Sequence, residues 1–144
     1  MAGFRIAQSV RPDPTPKAKA RKNGGYLAFL HELPSCISGK YGVQAAHISY
    51  ANPWFGSWGR GKGTKVHDLF ALPLTPEEHE LQHSGKLGSE ERFWGVHGIS
   101  PHELCVTLFG IYSNFDEQEA IARATARINQ GLALAGRLRE RELS

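Results

Sequence analysis

The chain has 144 residues, a formal net charge of +3, and 40% hydrophobic and 22% charged side chains, which suits one globular domain with its own core and a moderate basic bias. No apolar run approaches the roughly 18 residues of a membrane span, and the N-terminal MAGFRIAQSVRPDPTP lacks the apolar core of a secretory signal. Membrane partners are excluded from the reading, and the expected location is the cytoplasm.

Residues 1–23 read as a disordered basic tail. The stretch RPDPTPKAKARKNGG has three prolines, five basic side chains and no apolar periodicity, so it can bury too little surface to offset ordering. It is either a solubilising tail or an arm that neutralises phosphates. GYLAFLHEL (25–33) predicts a short helix stopped before Pro34, with His31 as a surface or packing residue. Ser35 to Gly42 is a turn. It contains Cys36, which is distant from Cys105, and neither cysteine has a second at metal-ligand spacing. No cysteine-built zinc site can be drawn, and both are expected as reduced thiols.

Val43 to Tyr50 (VQAAHISY) predicts a strand carrying His47. Asn52 to Lys65 holds four glycines, the aromatics Trp54, Phe55 and Trp58, and the cations Arg60, Lys62 and Lys65. Glycine removes backbone constraint, so this is a loop. Aromatics interleaved with cations suit a nucleic-acid strand, through stacking and phosphate pairing. In the alternative reading, the tryptophans fold back onto the core.

HDLFALPL predicts a second, mostly apolar strand over Leu69 to Leu74, preceded by Asp68. Thr75-Pro76-Glu77-Glu78 then opens a helix, with Thr as N-cap, Pro first and Glu third; it runs to about Ser84 and stops at Gly85. Ser89-Glu90-Glu91 opens a second helix through about His97. Ser100-Pro101-His102-Glu103 repeats the capping pattern and opens a third, with Leu104, Leu108 and Ile111 at helical spacing. His97 and His102 read as terminal or surface residues. From Asp116 the chain is rich in helix formers, with Ala120, Ala124, Ile128 and Leu132 on one stripe. Arg123 and Arg127 fall on a neighbouring face, and the arginines of the last turns either complement a helix dipole without needing a ligand or face DNA or a partner.

His79 and His83 lie four apart on the predicted helix, so both imidazoles leave from one face and can reach one ion. His47 becomes interesting if the strand–loop–strand–helix unit brings it over that helix, where a neutral imidazole could take a proton from water. Asp68 could tie the wide loop between the strands, or be a plain turn residue.

In its order of His47, Asp68, His79 and His83, the chain resembles the HNH endonucleases. AAHISY, the Gly/Lys loop, HDLFALPLTPEEHELQHSGK and ERFW are similar to the phage and prophage branch, which includes recombination-enhancement nucleases that depend on RecA. The resemblance covers roughly 25–105. It implies an α+β fold whose ββα-metal hairpin-and-helix core is surrounded by several helices, as a nuclease domain over 24–115. A C-terminal helix over 116–144 would pack on the domain, on a partner or on a second copy in a homodimer.

It also implies His47 as the general base, Asp68 as the residue bracing the loop that positions it, and His79 and His83 as ligands of one divalent ion (Mg, Mn or Zn). Many members carry an acidic or histidine ligand just before the base, where this chain has Ala46. His67 is a substitute only if it faces the same way as Asp68, and adjacent strand residues point to opposite faces. Relatives often hold a structural zinc with a cysteine pair and a later cysteine. Here Ser35, Ser38 and Thr75 align there, so no structural zinc is expected, and an apolar or hydrogen-bonded replacement is.

The expected function is metal-dependent DNA endonuclease activity linked to recombination or DNA processing. Arg60, Lys62, Lys65 and the tail would hold the backbone, Trp54 and Trp58 would stack on unpaired bases of a single or displaced strand, and a recombinase filament is a candidate partner. The alternative is a catalytically weak or inactive DNA-binding accessory protein. A third reading is a small structural metalloprotein with no nucleic-acid role.

Overall fold

The computed structural model describes residues 24–59 and 67–136. Within them the chain is a mixed α+β structure. In order come α1 (Gly24–His31), β1 (Gln44–His47), a 3-10 turn (Pro53–Phe55), β2 (Ala71–Leu74), α2 (Pro76–Ser84), α3 (Glu90–Val96), α4 (Pro101–Asn114) and α5 (Glu117–Leu134). The N-terminal tail and the last eight residues, on which part of the sequence reading falls, lie outside the described residues. None of the described helices is long and apolar enough to cross a membrane.

β1 and β2 pair antiparallel, Gln44 opposite Leu74 and His47 opposite Ala71. Both strands are shorter than the sequence suggests. Beyond His47 the ladder keeps one more bond, from the Ile48 amide to the Phe70 carbonyl at 2.9 Å. Every residue of β2 is buried, as expected of a strand covered on both faces. Pro73 lacks an N–H, yet its carbonyl is used, accepting from the Cys36 amide at 3.1 Å.

The core joins α1, the sheet, α3, α4 and α5. Tyr26, Phe29, Leu30, Ile48, Leu72, Leu74, Phe93, Trp94 and Leu108 are buried in it. Edge-on ring contacts hold α1 against α4, with centroid separations of 5.1 Å for Tyr26–Phe109 and 5.3 Å for Tyr26–Tyr112. On α5 the expected stripe of Ala120, Ala124, Ile128 and Leu132 is buried in the same core. Cys36 and Cys105 are both buried free thiols, and burial pushes both above the usual thiol range.

Helix starts follow local chemistry. Thr75 and Glu78 form a reciprocal capping box on α2, and Gly85 ends it at φ +80°, a conformation costly for other residues. Ser89 caps α3 by accepting from the Arg92 amide, and Asp116 caps α5 by accepting from Glu119. Ser100 makes no such side-chain bond at α4, so the repeat of the capping pattern expected there is absent; Pro101 alone pre-sets the first turn.

Where a zinc knuckle was weighed, Ser35 forms a hydrogen-bonded junction. Its hydroxyl accepts from the Ile37 and Ser38 amides at 3.0 and 3.1 Å and donates to Glu78 at 2.6 Å. The same Glu78 oxygen accepts from the Thr75 amide at 2.9 Å. The turn after α1 is thereby fastened to the first turn of α2.

His102 corrects the sequence reading: it is 1% exposed, a core residue and not a surface one. Its Nε2–H donates to the Tyr50 carbonyl at 3.0 Å, and its ring packs edge-on against Tyr50. Helical periodicity could not reveal this, because the partner lies 52 residues away. Burial pulls its pKa below the ordinary imidazole value.

Two outcomes are expected. Ser35→Ala leaves the Ile37 and Ser38 amides without their acceptor and removes one donor from Glu78, and should lower the unfolding free energy by about 1–3 kcal/mol in urea denaturation. The folded state binds the His102 proton more weakly than the unfolded chain. Its contribution to stability is therefore present above about pH 6.5 and lost as pH falls through that value. The thermal midpoint should drop between about pH 7 and 5, and His102→Gln, which can still donate to Tyr50, should flatten the drop.

Candidate functional site

His47 is the last residue of β1 and is partly exposed. Its Nε2–H donates to the Asp68 carboxylate at 2.8 Å, a charge-assisted bond that fixes the tautomer and leaves Nδ1 as the basic nitrogen. Asp68 was expected to brace the loop around the base; it grips the imidazole directly. The residue before it, His67, accepts the Leu69 amide at Nδ1, at 3.0 Å, so that nitrogen serves the turn rather than a metal.

His79 and His83 stand together on α2, their ring centroids 5.4 Å apart. His79 Nδ1–H donates to Gln44 Oε1 at 2.9 Å, which leaves Nε2 as the nitrogen able to coordinate an ion. Such a second partner is what orients a metal-ligating histidine. Burial, helped by the neighbouring His83 and His47, lowers the pKa of His79, so the neutral, ligating form prevails at neutral pH. His83 is more exposed, with Nδ1 4.0 Å from Glu90 Oε1. Among the described residues no group of three or more His, Cys, Asp or Glu side chains is arranged to hold a metal ion. The residues fit a site of two protein nitrogens, with the remaining positions left to water and substrate oxygens. Ala46, where a further ligand was sought, is fully buried in the core.

Strand and helix are tied by three residues that periodicity did not single out. Gln82, buried between the two helix histidines, donates through Nε2 to the His47 carbonyl at 3.0 Å and to Glu90 at 2.8 Å. Glu90 also accepts from the Ser49 amide at 3.1 Å and from the Ser49 hydroxyl. The i, i+3 placement of Gln82 after His79 puts it on the histidine face, a usable signal. Glu90 read only as a helix opener.

The described part of the loop after β1, through Gly59, folds into a compact turn. Asn52 bridges Ser57, and Gly59 approaches so closely that a Cβ there would lie 2.8 Å from the Ala51 nitrogen. Ser57 is buried, while Trp54 and Trp58 are 88% and 77% exposed, so these tryptophans do not fold back onto the core. Arg60, Lys62 and Lys65 lie outside the described residues.

A family model described as "Protein of unknown function (DUF968)" matches residues 14–106, about two thirds of the chain. It spans His47, Asp68, His79, His83 and Glu90 and stops within α4. No curated protein and no solved structure matches the chain.

Proposed function

The chain belongs to the DUF968 family, a family of unknown function, and we propose that it is a metal-dependent DNA endonuclease of the ββα-metal kind, acting in recombination or DNA processing. The observation that carries this reading is the His47–Asp68 pair at 2.8 Å, which joins the end of β1 to the turn before β2, together with two histidines on the helix that follows. A base with a fixed tautomer and two metal-competent nitrogens are the groups a phosphodiester hydrolase needs close together.

His47 Nδ1 takes the proton of an attacking water, and Asp68 stabilises the imidazolium that results. Gln44 keeps His79 turned with Nε2 outward, and Gln82 holds the His47 backbone against α2. His79 and His83 would hold one divalent ion, which would supply charge stabilisation for the developing phosphate charge. Trp54 and Trp58 offer stacking faces to unpaired bases, while Arg60, Lys62, Lys65 and the basic tail supply phosphate contacts without sequence preference. A single or displaced strand, presented on a recombinase filament, is the substrate that suits these parts.

The accessory-protein reading draws on one observation, the buried Ala46 in place of a further ligand. It keeps DNA binding and removes cleavage.

The test is cleavage of plasmid and single-stranded DNA with Mg²⁺, Mn²⁺, Zn²⁺ or chelator, with and without a recombinase filament. Metal-dependent cutting is expected, with His47→Ala slower by about 10²–10⁴-fold and DNA binding retained. No cutting in any condition with binding intact would favour the accessory protein. Trp54→Ala and Trp58→Ala should each weaken single-strand affinity by about 1–3 kcal/mol in fluorescence titrations, if a base stacks there.

A further inference from the structure

Glu90 touches both halves of the candidate site, although it is 43 residues from His47 in sequence. Its carboxylate accepts the Ser49 amide and hydroxyl, two residues beyond the base. It also accepts Gln82 Nε2 at 2.8 Å, and that nitrogen donates in turn to the His47 carbonyl at 3.0 Å. Finally, Oε1 lies 4.0 Å from His83 Nδ1. The side chain is 11% exposed, so its charge is sheltered from water and these donors are its compensation. It is also the first residue of α3, where the helix dipole favours an anion.

We infer that Glu90 is a positioning residue of the proposed nuclease site, fixing the separation between the His47 base and the His79–His83 pair through Ser49 and Gln82 and placing a negative charge near His83. This rests on the nuclease reading above. Gln44 orients His79 by a hydrogen bond from the other side, whereas Glu90 stands 4.0 Å from His83 Nδ1, beyond hydrogen-bond reach. The two partners differ in kind: Gln44 gives a neutral hydrogen bond, and Glu90 adds a fixed negative charge beside the ligand. Part of the charge missing at Ala46 is thus supplied from outside the ligand set, by a residue that never touches the ion.

A carboxylate is needed because each hydrogen bond of Glu90, from the Ser49 amide, the Ser49 hydroxyl and Gln82, is given by a donor. Glutamine has the same length but presents an NH₂ at one of its two ends. That end must face the Ser49 or the Gln82 donors, so one arm of the clamp opens while the other can persist.

The decisive experiment compares wild type, Glu90→Gln, Ser49→Ala and the exposed neighbour control Glu91→Gln. Two readouts are taken: the kcat and KM of Mn²⁺-dependent DNA cleavage, and binding of Co²⁺ followed by its visible absorption. For Glu90→Gln, kcat should fall by about 10–100-fold and Co²⁺ affinity by about 10-fold or more, with an altered cobalt spectrum. KM for DNA should stay within about threefold, because Glu90 does not touch the substrate. Glu91→Gln should match wild type in every readout.

Ser49→Ala removes only the hydroxyl arm and should lower kcat by about 3–10-fold; it decides the matter if Glu90→Gln fails to fold. Loss of stability in Glu90→Gln with kcat, KM and cobalt spectrum unchanged would reduce Glu90 to a structural residue and overturn the inference, as would an unchanged Ser49→Ala in the non-folding case. If wild type binds Co²⁺ but cuts no DNA, the nuclease reading falls alone, and the cobalt affinities of the variants decide for or against Glu90. A wild type that binds no Co²⁺ overturns both.

Discussion

The register of β1 against β2 is the constraint on which the rest of the site depends. His47 faces Ala71, and Ala46 faces Leu72. Side chains alternate along a strand, so a slip of one residue would put the imidazole in the core and an alanine methyl over the helix. Two four-residue strands cannot hold a register by ladder bonds alone. What holds it is burial on both sides of β2, where Leu72 and Leu74 fit a core already closed by α1 and α4. His47 is thus placed by apolar packing that it does not itself join.

Two carboxylates at the beginnings of helices carry the polar part of the architecture. Glu78, in the first turn of α2, joins Thr75 and Ser35. Glu90, opening α3, joins Ser49 and Gln82. Each uses a favourable position at a helix N-terminus and then spends its remaining acceptor capacity on another element. A side chain that satisfies only its own helix could be replaced by serine or aspartate at small cost. One that also receives a donor from a distant segment cannot, because its loss leaves buried partners unsatisfied.

The tryptophan turn and the histidine cluster follow different physical logic. The histidines are held by directed bonds from Asp68 and Gln44, which give fixed tautomers and little freedom. Trp54 and Trp58 sit in the open on a turn pinned by the Asn52–Ser57 bridge and by Gly59. Large exposed apolar rings cost solvation, and their presence on a closed, ordered turn fits a surface that meets a π-face partner. α5 lies beyond the family match, yet its Ala120, Ala124, Ile128 and Leu132 complete the same core as the matched segment.

Local chemistry is what the sequence determined by itself. The capping box of Thr75 and Glu78, the stop at Gly85, the starts at Ser89 and Asp116, and the four-residue stripe of α5 all depend on neighbours within one or two turns, and all are present. The i, i+4 rule likewise put His79 and His83 on one face, which the fold keeps. Tertiary structure decided what depends on partners far along the chain. Asp68 became the direct partner of His47 across 21 residues, Gln44 the orienter of His79 across 35, and His102 a core residue through a carbonyl 52 positions away. Glu90 read as a helix opener because that is all its neighbours can say of it; its hydrogen bonds come from Ser49, just beyond β1, and from Gln82 on α2. Hydrogen bonds across such distances leave no periodic trace in the chain, because the geometry that makes them exists only after the apolar core has closed.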